Sequence, residues 1–139
     1  MLRGPAQTFE YFARAPQPVA AQPIVVDAAM EVHRIVGPGL IESVYEQALR
    51  VELGLRGVHC ARQVPVAVTY KNVAIGHARI DFLVGEHLVV ELKACQALLP
   101  VHFAQVLSYL KASDRSLGLL INFNVRLLRQ GVRRVIRSR

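Results

Sequence analysis

The chain has only two cysteines, Cys60 and Cys95, in 139 residues. Two thiols so far apart make neither a disulfide framework nor a zinc site, both of which need more ligands at tighter spacing, so they read as reduced thiols. No run approaches the ~18 uninterrupted apolar residues of a membrane-spanning helix. Glu10, Arg14 and Pro16 interrupt any apolar stretch that would serve as a secretory signal. A soluble, cytoplasmic chain with no membrane partner is therefore expected. Internal repeats are absent. Acidic residues are the scarcer sign, 10 Asp and Glu against 17 Lys and Arg, and the formal net charge of +7 favours an anionic partner such as nucleic acid. What is plentiful is apolar: 53% hydrophobic residues at this length describe one folded domain with a real core.

Residues 1–22, with Gly4, Pro5, Pro16 and Pro18, read as a poorly ordered leader, and 23–139 as a single domain ending in a basic segment. A short amphipathic helix is expected over 25–36, with Ala28, Ala29, Val32 and Ile35 on its apolar side. Gly37-Pro38-Gly39 breaks it. A second helix follows, with Leu40, Val44, Ala48, Val51 and Leu55 spaced for one face and Gly57 as its stop. From Arg62 the hydrophobic period changes to two. Strands are expected over 62–70, 74–84 and 88–94, with turns at Lys71-Asn72 and Gly85-Glu86-His87. Pro100 opens another helix, and 117–123 is a short buried strand. A strand reached through a crossover helix pairs in parallel with one of the earlier three. The order gives an α/β fold whose mixed sheet is flanked by helices.

One stretch, "RIDFLVGEHLVVELKA" (79–94), places charge where apolar side chains would be more stable. A three-residue hairpin loop at 85–87 sets Val84 opposite Leu88, which puts Asp81 across from Glu91 and Arg79 across from Lys93. Alternation then gathers Ile80, Phe82, Val84, Leu88, Val90 and Leu92 on a core face and Arg79, Asp81, Glu91 and Lys93 on a charged one. Two carboxylates ~5 Å apart repel by roughly 3 kcal/mol at an effective dielectric of 20. Protonation of one, neutralisation by the basic neighbours, or a divalent cation between them would each relieve that cost. Magnesium suits the last route because it takes oxygen ligands, usually one or two carboxylates with waters and phosphate oxygens. Lys93 then stands ready to stabilise charge on a scissile phosphate. The rival reading is a salt-bridge patch on a solvated face, worth little per pair.

At these residues the sequence resembles a known family. Gly39, Glu42 and Tyr45 in "GPGLIESVYEQAL" have the spacing of the GxxExxY proteins, and Asp81 followed by Glu91-Leu92-Lys93 is similar to the signature of the PD-(D/E)XK nuclease superfamily. Ile80 stands where that signature usually has proline. The resemblance covers about 25–135 and includes "RQVPV", "PVHFAQVLSYLK" and "LGLLINF". It implies a restriction-endonuclease-like α-β-β-β-α-β core that hydrolyses phosphodiesters with Mg2+, Mn2+ being a possible substitute. The implied catalytic residues are Asp81, Glu91, Lys93 and Gln105; the implied metal ligands are Glu42, Asp81, Glu91 and the Leu92 backbone carbonyl.

Other residues enter in supporting roles. Glu42 near a helix start also fits ordinary compensation of the helix dipole. Tyr45 is placed either to pack or to bond a site carboxylate. His102, Gln105 and Tyr109 share one side of their helix at i, i+3 and i+7. With Tyr45 and Arg79, His102 and Tyr109 are expected to support the site or the substrate. From Arg126 to Arg139 there are six arginines in 14 residues, a strip suited to phosphate, without the interleaved aromatics that stack single-stranded bases. The expected partner is nucleic acid, DNA before RNA, with a homodimer allowed. A binding module that keeps the nuclease fold without catalysis is the alternative.

Overall fold

The computed structural model describes residues 18–138, with side chains from Ala21 onward; the first 17 residues of the expected leader lie outside the described residues. In order, the elements are α1 (Pro18–Val36), α2 (Glu42–Leu55), β1 (Cys60–Tyr70), β2 (Val73–Val84), β3 (Leu88–Lys93), α3 (Pro100–Ala112), β4 (Leu117–Asn122), a 3-10 turn at Leu128–Gly131 and β5 (Val132–Ile136). The sheet order is β1-β2-β3-β4-β5. Every neighbouring pair is antiparallel except β3 and β4, which α3 connects as a crossover and which run parallel. This is the expected α/β architecture, with one strand more.

That extra strand is the first correction. The basic segment is not a tail: Val132–Ile136 pairs along β4, with Val135 buried and Arg133 and Arg134 exposed on the outer strand. Charged side chains on an edge strand are ordinary, and they hide its period from a sequence reader. The second correction concerns α1, which begins at Pro18, so residues 18–22 are helix and not leader. Pro23 lies inside the helix, five residues from its start, where only one hydrogen bond is forfeited. Ala21, Val25, Ala28, Ala29 and Val32 are all buried on one stripe, and that packing holds the extra turn.

The third correction is the face of α2. Its buried residues are Tyr45, Leu49 and Leu53, whereas Leu40, Val44, Val51 and Leu55 are exposed and Ala48 is half-buried. The helix carries two apolar stripes, and Tyr45 decides between them. Its ring stacks on Phe123 at 4.6 Å between centroids, and its hydroxyl donates to the Gly37 carbonyl and accepts from the Leu40 N–H. Tyr45 thereby holds the Gly-Pro-Gly turn against the second helix.

Helices cover both faces of the sheet. Phe82, Val84, Leu88, Val90, Leu92, Leu119 and Ile121 pack with α1 and α2. Leu83, Val89, Leu120 and Val135 pack with Val106 and Leu110 of α3. The expected charged face is therefore a second core, with the charges at its margin. Ile80 also belongs to this second cluster although Phe82 belongs to the first, so strict alternation fails at Asp81. Directly across, between the pairs Arg62–Phe82 and Val64–Ile80, Gln63 takes a left-handed backbone at φ 52°. The β1–β2 ribbon turns over at this point.

Candidate active site

The loop at 85–87 places Gly85 and Glu86 at positive φ, 61° and 64°, and sets the register Val84–Leu88, Leu83–Val89, Phe82–Val90. The next rung of the same count is Asp81 opposite Glu91. There the ladder ends, and carboxylates take over main-chain positions. Asp81 Oδ2 accepts the Leu92 N–H at 2.9 Å, and Glu91 Oε1 reaches to 3.5 Å of the Asp81 N–H. Each acid thus leans across the gap to the other strand. In extended backbone a residue's N–H and C=O share a direction, so the Leu92 carbonyl opens into the same gap.

Both carboxyls are buried, Asp81 at 9% exposure and Glu91 at 4%. Burial is the main cause that lifts the Asp81 pKa to about 6, against the Leu92 N–H; Glu42 and Glu46 add to the rise and Lys93 opposes it. Burial again leads in lifting Glu91 to about 8, followed by the Asp81 charge, with Lys93 and the Asp81 N–H opposing and Glu42 adding a little. Without a cation, the pair relieves its repulsion by holding protons. The salt-bridge patch is not formed: neither acid has an ion-pair partner among the described residues. Half-buried Lys93 acts on both through its field alone.

The remaining expected residues divide. Tyr109 comes to the pair: burial first, then the charges of Glu91 and Asp81, raise its phenol pKa, and Gln105 opposes this by donating to its hydroxyl at 2.8 Å. Gln105 itself bonds Tyr109, and Tyr109 is what senses the charges of the pair. Glu42, the first residue of α2, is exposed and within electrostatic reach of both acids. No group of three or more His, Cys, Asp or Glu converges at metal-binding spacing among the described residues, so Glu42 does not complete a three-carboxylate cluster. Tyr45 is spent on the Gly37 turn. His102 Nδ1 accepts the Leu99 N–H at 2.9 Å and caps α3. Arg79 is exposed, beyond the point where the ribbon turns over, and has no ion-pair partner among the described residues.

Four residues given no role in the sequence reading support the pair or the strand that carries it. Gln63 Nε2 donates to both Glu46 carboxylate oxygens, at 3.1 and 3.0 Å, and lies 3.5 Å from Asp81 Oδ1. Arg62 pairs with Glu46 at 3.0 Å and fixes it from the other side. Glu46 had one visible signal: it stands four residues after Glu42 on the same helix face, an unfavourable like-charge spacing. Gln63 had none, because its left-handed backbone turns an ordinary strand residue towards the site. Asn122, 2% exposed, anchors the exit of β3. Its carboxamide accepts from the Cys95 and Asn124 N–H groups and donates to the Cys95 carbonyl, while the Phe123 N–H donates to the Lys93 carbonyl.

The donor set suits a hard divalent cation. Two buried carboxylates and a strand carbonyl are all oxygen, and among the described residues no protein cation compensates the acids by contact. A model of the PD-(D/E)XK nuclease superfamily matches residues 20–135. Among solved structures, the fold is similar to an alkaline exonuclease, LHK-Exo, from Laribacter hongkongensis. The TM-score is 0.53 at 16% identity, over 81% of this chain and 68% of that one. The same enzyme in complex with dAMP matches with a TM-score of 0.52 at 17% identity over the same shares. No curated protein sequence matches significantly.

Proposed function

The chain belongs to the PD-(D/E)XK nuclease superfamily, and on that premise we propose that it is a magnesium-dependent nuclease that hydrolyses phosphodiester bonds, with DNA as its polymer. The observation that carries the reading is the Asp81–Glu91 pair: two acids buried across neighbouring strands, which among the described residues have no contacting cation, beside a lysine that is in no ion pair there. Asp81, Glu91 and the Leu92 carbonyl would hold the ion, with Glu42 in the nearby field. Magnesium there supplies the Lewis acidity that makes water a nucleophile near neutral pH and draws charge from the phosphoryl oxygens. Lys93 contributes its ammonium to the charge that builds on those oxygens during in-line displacement. Tyr109, oriented by Gln105, presents a hydroxyl for a phosphate oxygen or the attacking water. Glu46 and Gln63 hold the Asp81 carboxylate in its direction across the gap.

The spacing of Gly39, Glu42 and Tyr45 supports placing the chain in the GxxExxY group. The free thiols Cys60 and Cys95 suit a reducing, cytoplasmic setting. Manganese is expected to substitute for magnesium. The rival, a nucleic-acid-binding module on the same fold, gains nothing from an intact Asp81, Glu91 and Lys93. The test is a panel of labelled DNA and RNA substrates with and without magnesium, run beside Glu91→Ala and Lys93→Ala. Magnesium-dependent cleavage of DNA by the wild type alone supports the reading. Absent cleavage, or equal cleavage by the variants, rejects it.

A further inference from the structure

The β1–β2 ribbon outruns the rest of the sheet. It is paired from Cys60–Val84 to Tyr70–Val73, yet β3 pairs with β2 only at 82–84. Residues 67–77 are all exposed. Lys71 and Asn72, both at positive φ (49° and 67°), close the tip as a two-residue turn. A two-stranded ribbon standing alone is marginal in water, so an arm of this length is expected to lie against something.

Its two faces differ. The register puts Val64, Ile80, Val66, Ala78, Val68, Gly76, Tyr70 and Val73 on one side, running outward from the α3-side core. Exposure climbs along it from 0% at Ile80 to 36% at Val68 and 62–63% at Tyr70 and Val73. The other side carries Pro65, Ala67, Thr69, Ala74, His77 and Arg79, with Ile75 exposed at the bulge. From Glu52 to Asp81 the sequence has no acidic residue, so Lys71, His77 and Arg79 meet no opposing charge on the arm.

We propose that this arm, residues 65–79, lies in the major groove of B-form duplex DNA and holds a double-stranded substrate along from the Asp81–Glu91 site. The assignment of a substrate rests on the nuclease reading above. A two-stranded β-ribbon fits that groove, where apolar side chains meet thymine methyls, while A-form RNA presents a major groove too deep and narrow for it. From Asp81 to Val73 at ~3.4 Å per residue is about 27 Å, roughly eight base-pair steps of duplex. A second copy of the chain fits the arm poorly. It would set the like charges of Lys71 and Arg79 on the two copies together. Edge pairing along β1 is also blunted by Pro65, which lacks a donor, and by the bulge at Val68/Thr69.

The experiment is anisotropy titration of labelled DNA and RNA duplexes of about 24 base pairs in EDTA, where nothing is cut, with the wild type, Lys71→Asp and Lys71→Asn. Both replacements tolerate the left-handed turn. Lys71→Asp is expected to lose roughly tenfold in affinity for the DNA duplex and Lys71→Asn less, with RNA affinity unchanged. Unchanged DNA affinity overturns the proposal, and so does an equal loss on RNA, which would make the effect one of charge alone. A wild-type dimer that Lys71→Asp dissociates at constant DNA affinity gives the arm to a second copy instead. Magnesium-dependent cleavage, assayed separately on a duplex too short to reach the arm, reports on the nuclease reading alone. A wild type that cleaves nothing but shows the DNA-selective loss refutes that reading and supports the arm.

Discussion

The two halves of β2 are one continuous strand with opposite fates. From Ile80 to Val84 every residue is buried, and from Val73 to His77 every residue is exposed, although both halves alternate and both carry β-branched side chains. The difference lies in what covers them: β3, α1, α2 and α3 converge on one half, and β1 alone accompanies the other. Asp81 sits at the junction. The buried half supplies the dehydrated surroundings that raise its pKa, and the neighbouring turnover of the ribbon gives its carboxylate a direction across to β3. Charge placed farther out on the arm would be screened by solvent and lose that leverage.

The sharpest way to break this comparison is a pair of truncations in one strand. Phe82→Ala is expected to cost about 3–5 kcal/mol of unfolding free energy, whereas Val73→Ala stays within about 0.5 kcal/mol. Equal costs in denaturant titrations would mean that the arm is packed in solution. Next in size is Lys93→Ala, for which a roughly hundred- to thousandfold drop in magnesium-dependent cleavage is expected with unchanged melting behaviour. A parallel loss of stability would assign Lys93 to the fold.

The pH dependence of the metal-free protein follows from the buried acids. Their folded pKa values, about 6 for Asp81 and about 8 for Glu91, lie above the ordinary carboxylate range. The folded state therefore binds more protons than the unfolded one between pH ~4 and ~8, and stability falls across that window as pH rises. Glu91→Gln removes the burden of a buried charge and is expected to stabilise the metal-free protein at pH 8 by on the order of 2 kcal/mol, with little effect at pH 4. A flat pH profile in thermal melts would show that water reaches the pair. Tyr45→Phe is expected to cost about 1–2 kcal/mol from leaving the Leu40 N–H and Gly37 carbonyl unpaired, with cleavage retained. A loss of cleavage without loss of stability would return Tyr45 to the site.

The same contrast explains what was legible in the sequence. The hairpin register, both turns and the parallel crossover strand rest on local rules: period-two alternation, positive-φ turn residues, and a proline at the start of α3. Asp81 and Glu91 were found because the count back from a three-residue loop brings them together. The orientation of α2 was not legible, since Tyr45-Leu49-Leu53 and Leu40-Val44-Val51-Leu55 are both plausible stripes and the choice depends on Phe123, 78 positions downstream of Tyr45. β5 was masked by Arg133 and Arg134. Gln63 and Glu46 escaped because a left-handed backbone residue and a contact between α2 and β1 join them, and neither leaves a periodic trace.

Calorimetric titration of the metal-free protein with magnesium, and then with manganese, against Asp81→Asn measures the central idea directly. The account predicts a saturable binding heat for the wild type that Asp81→Asn abolishes. Two proteins that take up either ion alike, or a wild type that takes up neither, would contradict it.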